Sequence, residues 1–233
     1  METAAAAAAA RWPLESRGRL VHGLALVLLL AAGFPLMSVV AHAWGLDPQQ
    51  MWSGDSTSFL LLAGFSAWRV GLVTLVGLNV VGKVTPGQLG WTTDDPGPSL
   101  GLGALGGFAA VALAVGMAVT LGGADLTAVG NAVFGYSTEQ RLMFVMIACD
   151  AAFTEESLFR GYLQPAMVKR FGFGGGLLAT SAVFSLYHLN FTPQGLVSKL
   201  AFGLLFGLLR GRDRPLWVSG LAHAMLWVVV GML

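Results

Sequence analysis

Two adjacent carboxylates, Glu155 and Glu156, lie inside a long apolar run, with Arg160 four residues beyond the second. On insertion scales an ionisable group at bilayer depth costs ~2.5–3.5 kcal/mol, so such groups mark function by default. An adjacent pair incurs that cost twice. Two later apolar runs each bring one histidine, His188 and His223. Carboxylate facing imidazole is equipment for taking a proton from water and returning it, which is the core of hydrolysis.

Spacing separates the two carboxylates. Glu156 and Arg160 share a helix face, in the favoured order of acid before base, so Arg160 is expected to neutralise Glu156. Glu155 points roughly 100° away and is left to work. The competing reading is that both are polar groups lining a channel. Ser181, Ser185 and His188 form one polar stripe on their helix. His188 is fourteen residues past Gly174, and Glu155 fourteen before Lys169. Both then lie ~21 Å from the loop that joins their helices, a depth at which they can meet. A lone histidine on an apolar helix is usually a hydrogen-bonded core group; matched depth favours function. Ser219 and His223 share a face, with His223 shallower at ~13 Å. His22 and His42, near the two ends of the first run, read as interfacial polar residues. Arg69 is a second charge within an apolar run, and Asp150 precedes Glu155 by five residues. Deep cations pair. Two cations, Arg69 and Arg160, can answer two of the carboxylates Asp150, Glu155 and Glu156. One stays unpaired and is suited to general-base work.

These residues need a membrane to be deep in. The 233 residues are 55% hydrophobic and 11% charged, against about 25% charged in a soluble domain, and mean hydropathy is +0.71. The sequence therefore predicts an all-α polytopic transmembrane helix bundle. There are about seven spans (six to eight), at roughly 20–43, 58–82, 99–121, 141–165, 174–189, 195–210 and 215–233. Residues 1–18 read as a disordered cytoplasmic N-terminus and 19–233 as a single transmembrane domain, with no internal repeat. A net charge of +1 gives no sign of nucleic-acid binding. The single cysteine, Cys149, reads as a packing residue.

The loops sort by charge. Arg11, Arg17 and Arg19 precede the first span; Lys83, then Lys169 and Arg170, then Arg210, Arg212 and Arg214 follow the second, fourth and sixth. Alternate loops hold Asp47, Asp55, Asp125 and Glu139, with Arg141 and Lys199 at helix starts. The positive-inside rule then places the N-terminus in the cytoplasm and the C-terminus outside, and the expected location is the plasma membrane. Gly203, Gly207 and Gly211, like Gly103 and Gly107, repeat every four residues and predict close intramolecular helix packing.

Glu155-Glu156-x-x-x-Arg160, Phe184-x-x-x-His188 and the later His223 resemble the motifs of the CAAX protease and bacteriocin-processing family, also called type II CAAX prenyl endopeptidases. Phe159-Arg160-Gly161-Tyr162-Leu163 and Leu216-Trp217 fit the usual surroundings, and the resemblance covers about residues 140–230. It implies an intramembrane glutamate-dependent peptidase. By position Glu155 would activate water with help from His188, and His223 would help stabilise the oxyanion. Glu156, Arg160, Phe184, Arg69 and Asp150 would support the scaffold. Trp227 stands where the family pattern places Asn, or sometimes Asp.

Two histidines and a glutamate also resemble a zinc set, but the spacing lacks H-E-x-x-H. A metal-free mechanism with no cofactor is preferred. The expected function is hydrolysis of a peptide bond in a membrane-associated substrate. The alternative is a catalytically weakened relative serving as a membrane immunity or partner-binding protein, the reading that Trp227 feeds. A proton-relaying transporter is disfavoured by the lack of inverted repeats.

Overall fold

The computed structural model describes residues 16–46, 55–92 and 96–230. Every regular element among them is helical. The first, α1 (Ser16–Ala43), is followed by α2 (Ser56–Trp68), which runs on unbroken as a π-helix (Arg69–Val81). The short α3 (Pro86–Leu89), α4 (Pro96–Thr120) and α5 (Leu126–Gly135) come next. Then α6 (Thr138–Asp150) continues as a second π-helix (Ala151–Leu163) and into α7 (Gln164–Tyr187). The last two are α8 (Pro193–Arg210) and α9 (Leu216–Val230).

Three of these are long and apolar enough to cross a membrane by length and composition: Arg17–Ala43, Ser56–Val81 and Pro96–Thr120. They present large apolar side chains outward, with Leu28 71% exposed, Val80 67% and Phe108 66%. Side chains of that kind on every outer face need lipid rather than water. The chain is an all-α membrane bundle. Of the remaining helices, α6 to α9 follow the other expected spans, while α3 and α5 fall between spans where no helix was expected; the helix through Glu155 carries too many charges to qualify on hydropathy alone. Of the expected unstructured N-terminus, residues 1–15 fall outside the described residues, as does Asp47; residues 16–18 already belong to α1. Cys149 departs from expectation: it is exposed on the outside of the bundle rather than packed within it.

Local chemistry sets the element ends. Asp55 caps α2 by accepting from the Ser58 amide at 2.7 Å. Thr85 with Gln88, and Ser137 with Gln140, form reciprocal capping boxes that start α3 and α6. Gly172 breaks α7 at φ 72, ψ 171, a backbone region essentially closed to residues with a Cβ. The chain folds back there, and Gly176 lies directly against the Val168 backbone. Expected spans four and five are the two arms on either side of this break.

Between helices in lipid, close packing rather than hydrophobic burial supplies cohesion. The glycine stripes serve it. A Cβ at Gly203 would meet Ser181 Cβ at 2.9 Å, so α8 rides close on α7. One at Gly103 would meet Leu221 Cβ at 3.1 Å, and Gly107 faces Met225, so α4 rides close on α9. The principal apolar core joins Leu30, Leu78, Phe159, Tyr162, Phe184, Phe206 and Leu226 around the polar centre.

Candidate active site

The two π-helices bring the charged groups together. In a π-helix the amide bonds the carbonyl five residues back, as Gly82 N does with Gly77 O at 2.9 Å and Gln164 N with Phe159 O. The wider turn rotates each residue by less than the α-helical 100°. Neighbouring side chains then diverge less, and Glu155 and Glu156 can both face α9. Each π-helix spans 13 residues, far more than the single-turn bulges usual for this geometry, which favour functional sites. Each also begins at an ion pair: the first at Arg69, the second immediately after Asp150.

Arg69 is shared. Its Nη2 donates to Glu155 Oε1 at 2.5 Å, and its Nε lies 3.3 Å from Asp150 Oδ2. Asp150 Oδ1 accepts from Thr154 Oγ1 at 3.0 Å. Arg160 Nη1 lies 3.2 Å from Glu156 Oε1, and its Nη2 donates to Gly203 O at 3.3 Å. The Arg160 guanidinium rests on the Phe184 ring, 4.2 Å from the centroid, with Phe206 at 5.5 Å. Phe184 thus holds the cation that holds Glu156. The expected surplus carboxylate does not exist as such, because one arginine serves two acids and Glu155 is one of them.

The histidines are oriented by different partners. His223 Nδ1 donates to Glu156 Oε1 at 2.9 Å, while its ring stacks on Phe206 at 4.5 Å and 22°. Its Nε2 faces Glu155 Oε2 at 3.9 Å. His188, just past the end of α7, donates from Nδ1 to Phe184 O at 2.8 Å. A carbonyl only accepts, so Nδ1 carries the proton and Nε2 keeps its lone pair. Leu189 then turns the chain through the left-handed region at φ 55. That backbone costs roughly 1–2 kcal/mol in a residue with a Cβ.

His188 and His223 line one cavity of about 80 Å³ with Phe184, Lys199, Phe202, Phe206, Leu226 and Trp227. Glu155 adjoins it through His223; it is 2% exposed, and its Oε2 has no hydrogen-bond partner within the protein. The difference in depth expected for His223 does not keep it from Glu155. Ser181 and Ser185, the other members of the α7 stripe, turn instead to backbone carbonyls, Leu177 O and Leu196 O, both at 2.8 Å. His22 reaches Tyr162, whose hydroxyl lies 3.0 Å from Nδ1.

Two site residues escaped the sequence reading. Lys199, counted there as a loop charge at a helix start, stands in the cavity wall with its Nζ 5.9 Å from the Trp227 ring centre. It forms no salt bridge with a described carboxylate. Its position seven residues into α8, rather than at the helix start, was the available signal. Tyr187, fully packed one residue before His188, sets its hydroxyl beside Glu155 without forming a well-aligned hydrogen bond. Among the described residues no three His, Cys, Asp or Glu side chains are arranged to hold a metal ion.

Fold and site together define a class: a helical membrane protein with a buried cluster of carboxylates, histidines and arginines beside a small cavity. Residues 137–229 match the family model described as type II CAAX prenyl endopeptidase, Rce1-like. That match covers less than half of the chain but includes Glu155, Glu156, Arg160, His188 and His223, the residues that carried the resemblance. This segment is therefore similar to that endopeptidase family. No curated protein and no solved structure matches the chain.

Proposed function

We propose that the chain is an intramembrane endopeptidase that cleaves a peptide bond of a membrane-associated substrate with water activated by Glu155. The supporting observation is the Glu155 Oε2 atom, buried, without a protein partner and 3.9 Å from His223 Nε2. That separation is too long for a direct hydrogen bond, which leaves the carboxylate oxygen free to accept from a water beside the two groups.

In the proposed reaction Glu155 Oε2 accepts a proton from water as the oxygen bonds to the scissile carbonyl carbon. His188, with its Nε2 lone pair toward the cavity, orients that water. Negative charge develops on the carbonyl oxygen. With its Nδ1–H engaged by Glu156, His223 donates to that oxygen from Nε2 as an imidazolium. Lys199 brings a second positive charge to the same cavity. Two cations aimed where an oxyanion forms act strongly at a site shielded from bulk water. The carbon–nitrogen bond then breaks, and the proton held by Glu155 passes to the leaving amine. Arg69, Asp150, Glu156, Arg160 and Phe184 position the reacting groups and take no part in bond making. This mechanism uses no cofactor. The protein is proposed to reside in the plasma membrane; its loop charges support an N-terminus on the cytoplasmic side.

Trp227 favours a second reading, a partner-binding protein with weakened catalysis, since an indole fills the cavity wall one helical turn from His223. Purified protein in liposomes, offered a library of membrane-anchored peptides, separates the two. The peptidase reading expects cleavage by wild type, loss of it in Glu155→Gln, and retained or faster cleavage in Trp227→Asn. Losing one oxyanion donor costs ~10²–10³ in rate, so Lys199→Met should lower turnover by that order with little change in KM. No cleavage by either wild type or Trp227→Asn would favour the partner-binding reading.

A further inference from the structure

A second cavity lies at the end of the bundle where the break in α7 meets the turn between α8 and α9. It measures about 420 Å³, and its wall includes Arg160, Gln164, Lys169, Arg210 and Arg212. Among the described residues no Asp or Glu lines it. Glu156 answers Arg160, and Asp213 lies near enough to Arg210 to act on its charge. Lys169 and Arg212 have no salt bridge to a described carboxylate, so the cavity carries excess positive charge. Arg212 is braced over the Phe173 ring at 5.5 Å.

Buried polar atoms in this wall are also unsatisfied. Gln164 is 2% exposed; its Nε2 donates to Gly207 O at 3.0 Å, yet its Oε1 has no partner. Arg210 donates to Arg214 O, and its Nε has no partner either. An unmatched acceptor and an unmatched guanidinium N–H in one wall suit a ligand that brings both an anion and a hydroxyl. The same end holds Arg170 and Arg214, the loop charges that mark the cytoplasmic side. Basic pockets between helices at that depth take anionic headgroups.

We propose that this cavity binds the phosphodiester of a hydroxyl-bearing anionic headgroup. The phosphate lies against Arg210 and Arg212, and Lys169 closes the rim. The site stands apart from the peptidase reading and does not depend on it. Arg160 is not a test position, because it also holds Glu156.

The test uses the full chain in nanodiscs of phosphatidylcholine with phosphatidylglycerol, and counts retained lipids by native mass spectrometry. Wild type should retain phosphatidylglycerol in preference to phosphatidylcholine. Arg210→Gln/Arg212→Gln should weaken that preference about 25-fold, and the exposed Lys169→Gln about fivefold. Lys83→Gln, a basic change outside the cavity, should leave it intact. If the double variant misfolds, Lys169→Gln carries the test by itself. Displacement of the lipid by excess inorganic phosphate would support the site and identify free phosphate as sufficient; resistance to it would support the site as one for the lipid headgroup. No preference in wild type, undiminished retention in Lys169→Gln, or an equal loss in Lys83→Gln would overturn the proposal.

Discussion

Arg69 is the residue on which most of the polar centre depends. It touches both Glu155 and Asp150, so removing it strands two carboxylates. Breaking a buried pair by deleting one partner costs ~3–5 kcal/mol, while neutralising every member together costs far less. Arg69→Met should therefore lower the melting temperature in detergent by several degrees more than Glu155→Gln. The triple variant Arg69→Met/Asp150→Asn/Glu155→Gln should recover much of that loss. Equal melting of the two single variants would mean that the arginine is not holding the acids. The sequence showed the participants: three acids and two bases at depth, with Glu156 matched to Arg160. It did not show the sharing. Charge counting assigns one cation to one anion, whereas a guanidinium offers five donors in a planar fork and serves two carboxylates at once. Lys199 was missed for a related reason. Loop-charge statistics absorbed it as a helix-start lysine, although it stands seven residues into α8, and the fold shows that it lines the cavity.

Among the elements, the helices were legible because a run of about 20 apolar residues admits few other structures. The stripe Gly203, Gly207, Gly211 was legible as a close-packing face, and Gly203 does lie against Ser181. The capping boxes at Thr85 and Ser137, each with Gln three residues on, played no part in the sequence reading, yet they set the starts of α3 and α6. The π-helices were not legible. Nothing in Ala151–Leu163 marks a five-residue bonding step, because hydropathy reports which face is apolar and not how tightly the backbone winds. From this segment Glu155 and Glu156 both reach His223, one at each ring nitrogen. Gly172 offers a cleaner test of element geometry. Its surroundings are open, so Gly172→Ala should lose stability through backbone strain alone, by ~1–3 kcal/mol. Gly174→Ala, a neighbouring site with nothing within 4 Å and no positive φ, should be close to neutral in the same melting assay. Matching effects at the two positions would place the bend elsewhere.

For the whole molecule, the bundle places two polar sites inside an apolar exterior: a small cavity holding His188, His223 and Lys199, and a basic cavity at the α7 break. Arg160 belongs to the wall of the second and pairs with Glu156 beside the first. The central claim concerns the first: Glu155 makes a nucleophile of water. The most direct measurement is cleavage of a membrane-anchored peptide library in ¹⁸O-labelled water by reconstituted wild type and Glu155→Gln, with products read by mass spectrometry. The account predicts fragments from wild type carrying one ¹⁸O in the new C-terminal carboxylate. It predicts none from the Gln variant, although that variant folds. Cleavage that survives Glu155→Gln, or wild-type products without solvent oxygen in the new carboxylate, would contradict it.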